Sequence, residues 1–191
     1  MISEFKILAN QHALRTSILM QNWVKQNLFS NFTLVSKFDW NSTRRCSRGG
    51  IYKDGPGINI AMYWAVPSVV GETYRFREYA SFDADKIIGG FYSKRPYDKL
   101  EAIIAHEVAH AVQFFAYKKL NTRCKPHGTM FKKYYAMLRT DFINSKLPEQ
   151  KPLAKDYQGY VDKLTKVNKK PLPIVSDEEW YHLTMKAASV K

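Results

Sequence analysis

The chain has 191 residues, of which 45% are hydrophobic and 14% aromatic, and this composition indicates a globular protein rather than a disordered chain. Its 30 basic and 17 acidic residues give a net charge of +13, which favours an acidic partner, nucleic acid first, over a merely lysine-rich solvated surface. No apolar run approaches the roughly 18 to 20 residues of a membrane helix, and no secretory signal begins the chain. The two cysteines, Cys46 and Cys124, form no C-x-x-C pair. We therefore predict an intracellular protein, cytoplasmic or DNA-associated, that is not secreted and has no membrane partner.

The first half of the chain predicts one helix followed by three strands. An amphipathic helix is expected from about residue 10 to residue 28, because apolar residues recur there at helical spacing: Leu14, Ile18 or Leu19, Trp23 and Leu28. Alternating apolar residues rich in strand formers predict three strands, at residues 32–38, 58–64 and 73–82. Polar or glycine-containing connections are expected at two places, residues 41–50 and 89–96.

The second half of the chain is predicted to be helical. The clearest helix spans residues 98–120, where Asp98 can cap the start and Glu101 follows at capping-box spacing. Another helix is expected from residue 127 to about residue 143. Beyond it the composition becomes lysine-rich, and a capping box at Ser176 predicts a short final helix.

The helix at residues 98–120 carries the sequence His106-Glu107-Val108-Ala109-His110. Two histidines four residues apart lie on one face of a helix and can bind one metal ion. The glutamate next to the first histidine can take a proton from a water at the open coordination position. The motif predicts a zincin-type metal centre with Glu107 as the catalytic base, and the alternative is a pair of surface histidines on a solvated helix.

A catalytic zinc needs a third protein ligand and one position for water. His127 is the nearest further histidine, and a turn between two antiparallel helices would bring it back to the pair. Cys124 and Asp141 are rival ligands, whereas His12 and His182 lie in terminal segments and are interpreted as surface or core-edge residues. The favoured set is one Zn²⁺ held by three histidines.

Together these motifs resemble the SprT-like (Spartan-type) zinc metallopeptidases. The resemblance rests on residues 103–111 around the metal motif, and on residues 127–132, where His-Gly-x-x-Phe opens the next helix. The arginine-rich residues 44–50 and the strand that follows them also look like the family. The resemblance covers about residues 10 to 142, but no cysteine follows Cys124, so the C-terminal zinc ribbon of many relatives is absent or replaced.

These observations predict an α+β, zincin-like fold. It would comprise an N-terminal helix, a small antiparallel or mixed sheet of about three strands, the metal-motif helix, a second active-site helix and a short helical C-terminal extension. Residues 1–147 are expected to form the SprT-like metallopeptidase domain, and residues 148–191 a lysine-rich helical extension.

The predicted reaction is hydrolysis of a peptide bond in a protein substrate. Glu107 would accept a proton from water and later deliver it to the leaving amine. Judged by residue type alone, three tyrosines are candidates to stabilise the oxyanion: Tyr63, Tyr134 and Tyr135. Core packing is the commoner role of each.

Residues 111–140 contain seven basic residues and no acidic one. Basic side chains on both sides of the motif could contact phosphates without reading sequence: Arg44, Arg45, Arg48, Lys118, Lys119, Arg123, Lys125, Lys132 and Lys133. With the resemblance, this predicts a peptidase that cleaves proteins bound to or near DNA.

Two other functions fit parts of the sequence. The chain could be a nucleic-acid-binding or virion structural protein with a non-catalytic metal site, but such a site has no need of a base beside its ligands. It could also be a secreted toxin or cell-wall peptidase, which the missing signal and disulfide pairs argue against.

Overall fold

The computed structural model describes seven stretches of the chain: residues 4–41, 47–65, 73–79, 82, 85–95, 97–120 and 125–146. Within them lie three α-helices and five β-strands, in the chain order α1 (Glu4–Asn27), β1 (Val35–Asp39), β2 (Arg48–Tyr52), β3 (Gly55–Ala61), β4 (Tyr74–Phe76), β5 (Phe91–Ser93), α2 (Asp98–Leu120) and α3 (Thr129–Leu138). A π-helical turn, Arg139–Ile143, and a 3-10 turn, Asn144–Lys146, continue α3. The predicted α+β class is confirmed, while the predicted extension at residues 148–191 lies outside the described residues.

The larger sheet is mixed and has three strands in the order β1-β3-β2. β1 runs parallel to the central strand β3, and β2 runs antiparallel to it, with Gly50 opposite Gly57. The turn between β2 and β3 ends at Gly55, whose φ of +117° lies in a region that favours glycine. β4 and β5 form a separate antiparallel pair, so the small mixed sheet is joined by a second sheet that was not predicted.

Helix α2 lies at the centre of the packing. It contacts α1, α3 and the β2–β3 hairpin, and every residue from Glu101 to Gln113 is buried. A helix buried on all sides needs small residues where neighbours approach closely, and alanines stand at positions 102, 105, 109 and 111. No helix in the described part of the chain is both long and apolar enough to cross a membrane.

The helix predictions differ from the structure mainly at their ends. The prediction for α2 is confirmed at both ends. α1 begins at Glu4, earlier than the expected residue 10. The last described helix begins at Thr129 instead of residue 127, and its α-helical hydrogen bonding ends at Leu138, because residues 125–128 form the turn that carries His127.

Two segments predicted as connections contain strands, because glycine and short length conceal strands in a sequence. Residues 48–50, expected in a polar loop, begin β2, and its glycines are required by the nearby helix, as described below. Residues 91–93, expected in a connection, form β5. Of the strand predicted at residues 73–82, only Tyr74–Phe76 is paired.

Candidate metal centre

Three imidazoles converge at the middle of α2. Nε2 of His127 lies 3.1 Å from Nε2 of His110 and 3.3 Å from Nε2 of His106. Tetrahedral zinc with Zn–N bonds of about 2.05 Å would separate its ligand nitrogens by about 3.3 Å. The three predicted ligands are therefore brought together at a spacing that fits a metal ion, and they form a group of possible metal ligands among the described residues.

The local sequence explains how the third histidine reaches the other two. Residues 125–128 form a tight turn in which the N–H of Gly128 donates to the carbonyl oxygen of Lys125 at 3.0 Å. Pro126 occupies the second position of this turn, where its fixed φ is favoured. His127 follows it and is thereby held against α2.

Of the two rival ligands, only Asp141 lies among the described residues, and it does not belong to this group. Asp141 accepts a hydrogen bond of 2.6 Å from the indole N–H of Trp23, away from the imidazoles. Cys124 lies outside the described residues. His12 bonds to Glu101 and stacks on Tyr97 instead, and His182 is not described.

Burial keeps two of the imidazoles in the neutral form that binds metals. Desolvation, with smaller contributions from the neighbouring imidazoles, lowers the pKa of His110 to about 3. The same causes lower the pKa of His127 from its usual value. Neutral rings bind a metal ion without first losing a proton, so the lowered pKa values of His110 and His127 favour metal binding.

Glu107 is 7% exposed and lies in the wall of a cleft of about 490 Å³ beside the imidazoles. Burial raises its pKa to about 7, against the opposing charge of His106 and a hydrogen bond from the backbone N–H of Gly49. A carboxyl group with a pKa near neutrality can both accept and donate a proton at that pH. Glu107 can therefore act as a general base.

The opposite wall of the cleft is strand β2. Its contact with α2 is so close that a Cβ atom on Gly49 would lie 1.9 Å from the carbonyl oxygen of Glu107. A Cβ on the next residue, Gly50, would meet only the ring of Phe114, at 3.7 Å. The absence of a side chain at position 49 thus allows the strand to lie directly on the backbone of the metal-binding helix.

A glutamate that the sequence did not single out, with its side chain 9% exposed, contacts His106. Oε1 of Glu78 lies 2.5 Å from Nδ1 of His106, on the side of the ring away from the other imidazoles. Oε2 of Glu78 accepts a hydrogen bond of 2.7 Å from the hydroxyl of Tyr135. That hydroxyl in turn accepts a bond of 3.2 Å from Nη1 of Arg139, which is 1% exposed. We call His106, Glu78, Tyr135 and Arg139 together the His106 support chain.

A second missed residue, Gln113, supports the other two ligands. Its side chain lies beside His110, three residues before it on α2. Its amide nitrogen donates to the carbonyl oxygen of Lys125 at 2.8 Å, which closes the turn that carries His127. Position 113 lies on the same helical face as positions 106 and 110, so helical spacing was a signal that could have found it.

The tyrosines suggested as oxyanion donors have other places in the structure. Tyr135 donates to Glu78, Tyr134 is buried in the core, and Tyr63 is not part of the cleft wall. The tyrosines that do line the cleft are Tyr52 and Tyr79. The ring of Tyr79 lies 5.0 Å from that of His127 and 5.6 Å from that of His106, by centroids.

The predicted nucleic-acid contacts fall partly within the described residues. Arg48 lines the cleft, and Lys132 lies with its ammonium 5.5 Å from the ring of Phe82, which borders His127. The other described lysines of the set are exposed: Lys118, Lys125 and Lys133. The backbone of Lys119 belongs to α2, and the remaining three lie outside the described residues: Arg44, Arg45 and Arg123.

Comparison with known proteins agrees with the family resemblance. The model of the SprT-like family matches residues 89–151, a segment that includes α2, the His127 turn and α3. The match thus contains all three imidazoles and Glu107, but neither β2 nor Glu78. Searches of curated proteins and of solved structures found no match to the chain.

Proposed function

We propose that this chain is a zinc-dependent metalloendopeptidase of the SprT-like type that cleaves proteins bound to or near DNA. The observation that carries the proposal is the position of a buried carboxylate, Glu107, beside three convergent imidazoles in the wall of one cleft. Structural zinc sites are closed by four protein ligands, whereas catalytic sites keep a position for water. Among the described residues, the group contains only three possible ligands, which favours a catalytic site.

The donor set supports zinc as the metal. Imidazole nitrogens suit zinc and its neighbours among the transition metals, while magnesium and calcium prefer oxygen. Three neutral histidines form the ligand set of several catalytic zinc sites. His106, His110 and His127 would hold the ion through their Nε2 atoms, which already face one another.

When bound, zinc supplies a Lewis acid that polarises the scissile carbonyl and lowers the pKa of water to about 7. Glu107 takes the proton of the attacking water on a carboxylate oxygen and then delivers it to the nitrogen of the leaving amine. The N–H of Gly49 donates to Glu107 and orients its carboxylate. The ring of Tyr79 lies beside His106 and His127 in the cleft wall and would limit the approach of bulk water from that direction.

A polypeptide substrate fits the other wall of the cleft. β2 is an edge strand that pairs only with β3 among the described strands. The N–H of Gly49 points away from β3, toward Glu107, and strand geometry directs the backbone groups of Ile51 the same way. An extended peptide can add to this free edge by main-chain hydrogen bonds, which would place its backbone beside the catalytic base.

Positive charge around the cleft supports a nucleic-acid partner. Arg48 lies in the cleft wall, and Lys125 and Lys132 flank the His127 turn. These side chains can neutralise phosphates without contacting base edges. DNA held there would raise the local concentration of proteins already bound to it.

The test is zinc-dependent cleavage by the full chain. Wild type and Glu107→Gln are incubated with a basic protein, with and without single-stranded DNA, and fragments of the substrate and of the chain itself are quantified. We expect Glu107→Gln to lose about 10²- to 10⁴-fold in rate while it retains zinc. Glu101→Gln is the matched control, since Glu101 is a similarly buried glutamate on the same helix, 3% exposed against 7% for Glu107.

Each part of the proposal can fail separately. Equal cleavage by wild type and Glu107→Gln, or none by either, would reject the peptidase. Cleavage that DNA does not stimulate would reject only the DNA-directed part. A zinc-loaded chain that binds DNA but cleaves nothing would support the non-catalytic alternative instead.

A further inference from the structure

We propose that Glu78 and Tyr135 are positioning residues of the metal centre, which hold His106 in the tautomer and orientation that present Nε2 to the ion. The inference deepens the proposed function, because it rests on His106 being a metal ligand. Glu78 lies outside the segment that matches the family model. Its assignment therefore comes from the geometry of this chain alone.

The two nitrogens of His106 face different partners. Nε2 faces the Nε2 atom of His127 at 3.3 Å, while Nδ1 is buried and lies 2.5 Å from Oε1 of Glu78. A proton on Nδ1 is favoured next to a carboxylate, and the lone pair then resides on Nε2. A carboxylate behind a metal-binding histidine also raises the basicity of the ligand nitrogen.

The carboxylate of Glu78 is itself fixed by its second oxygen. Tyr135 is fully buried, and its hydroxyl donates to Oε2 of Glu78 at 2.7 Å. Burial and the nearby Glu78 charge raise the pKa of Tyr135 well above its usual value, so the hydroxyl keeps its proton. The geometry therefore makes Tyr135 the donor that fixes the second oxygen of Glu78.

Arg139 holds the far end of the support chain. Its guanidinium donates to Tyr135 through Nη1 and to the carbonyl oxygen of Gly89 through Nη2, both at 3.2 Å. It also lies over the ring of Phe91, 4.8 Å from the centroid. The His106 support chain thus connects the π-helical turn after α3 to His106. Each carboxylate oxygen of Glu78 has a defined partner within it.

The test compares metal affinity in the full chain, measured by competition between the protein and a chromophoric chelator for Zn²⁺. We expect Glu78→Gln to bind zinc about 10- to 100-fold more weakly than wild type, the usual effect of removing such a partner. Tyr135→Phe should weaken binding in the same direction by a smaller factor. The visible absorption of the Co²⁺-loaded protein should change in both variants, because the first ligand is reoriented.

Glu101→Gln is the matched control, since Glu101 also contacts a histidine, His12, that is not a metal ligand. It should leave zinc affinity within about twofold of wild type, because the pair shares no partner with the site. A purely structural role for Glu78 would lower thermal stability in Glu78→Gln and Tyr135→Phe and leave their zinc affinity and Co²⁺ spectrum unchanged.

The proposal is overturned if folded Glu78→Gln binds zinc as tightly as wild type. If Glu78→Gln does not fold, Tyr135→Phe decides, since it removes only one hydroxyl, and unchanged zinc affinity then rejects the proposal. A wild-type chain that binds no metal also rejects it. A chain that binds zinc but cleaves no protein leaves this inference standing and defeats only the proposed function.

Discussion

Helix α2 contributes one partner to each of two carboxylate–histidine pairs, and only the second pair includes one of the three convergent imidazoles. At its N-terminal end, Glu101 bonds Nε2 of His12 at 3.0 Å and the ammonium of Lys146 at 3.0 Å. Further along, His106 meets Glu78 through Nδ1 at 2.5 Å. The first pair ties α2 to α1, and the second ties it to the segment after β4.

The difference lies in what the rest of each histidine contacts. His12 uses Nε2 for the carboxylate, and its ring stacks on Tyr97 at 4.3 Å between centroids. His106 uses Nδ1 for the carboxylate and keeps Nε2 for the two other imidazoles. The role of a histidine therefore depends on which ring nitrogen contacts the carboxylate and on what the rest of the ring contacts. The amino-acid sequence alone contains no information on either.

The largest contrast should come from removing each histidine. His106→Ala should lower zinc affinity by more than the roughly 10- to 100-fold expected of a supporting residue, because a ligand itself is lost. His12→Ala should leave zinc affinity unchanged. Isothermal titration with Zn²⁺ measures the zinc affinity of each variant. Weakened binding in His12→Ala would show that the two carboxylate–histidine pairs are not independent.

The next effect should come from the strand that packs on the metal end of α2. Gly49→Ala should destabilise the protein by about 1 to 3 kcal/mol or more, because its Cβ would lie 1.9 Å from the carbonyl oxygen of Glu107. Gly50→Ala is the control, since its Cβ has ordinary contacts with Phe114. Urea unfolding of the two variants checks the difference, and equal stabilities would contradict the close approach.

At the other end of α2, Glu101→Gln should lower the free energy of unfolding by about 1 to 3 kcal/mol at neutral pH. The lower half of that range is expected, because solvent reaches the partners: the side chains of His12 and Lys146 are 28% and 38% exposed. Urea unfolding of this variant in the presence of zinc measures the loss. A variant as stable as wild type would show that the pair is not stabilising.

The pH dependence of that loss follows from the pKa of Glu101. Burial raises this pKa, but the hydrogen bond to His12 and the charge of Lys146 outweigh burial and hold it below its usual value of 4.5. The stabilisation should therefore be present above pH 4.5 and disappear as the pH falls through the lowered pKa. The wild type and Glu101→Gln should converge in strong acid, and a gap that widens there would reverse the sign of the shift.

The smallest effect should come from His12→Phe, which keeps an aromatic ring against Tyr97 and removes the hydrogen bond to Glu101. We expect a loss of about 0.5 to 1.5 kcal/mol, since Lys146 remains bonded to the carboxylate. Comparing the thermal unfolding of His12→Phe with that of His12→Ala separates the hydrogen bond to Glu101 from the stacking on Tyr97. A larger loss in His12→Phe than in His12→Ala would mean that stacking on Tyr97 contributes nothing.

The sequence predicted the parts of the site whose signals are local. His106, Glu107 and His110 lie within one turn of a strongly patterned helix, and the Pro126-His127 dipeptide marks a turn just after it. Helix α2 was predicted with its observed ends because its apolar pattern is long.

The sequence could not reveal the parts that depend on tertiary contacts. Glu78 is one of 17 acidic residues and stands 28 positions before His106, with no local pattern to single it out. Glu101 matched a capping box, yet its carboxylate bonds His12 and Lys146. β2 was missed because its glycines serve the contact with α2, and that requirement has no signature in strand propensity.

The contact at Gly49 also bears on how the cleft can vary. At Gly49, β2 approaches the helix that carries Glu107 through main-chain atoms, because a Cβ there would meet the backbone of Glu107. Residues on either side of this contact, Arg48 and Tyr52 among them, are exposed in the cleft wall. Under the proposed function, exchange of those residues would change which peptides are accepted without moving Glu107, so substrate preference would be free to diverge while the geometry around Glu107 is preserved.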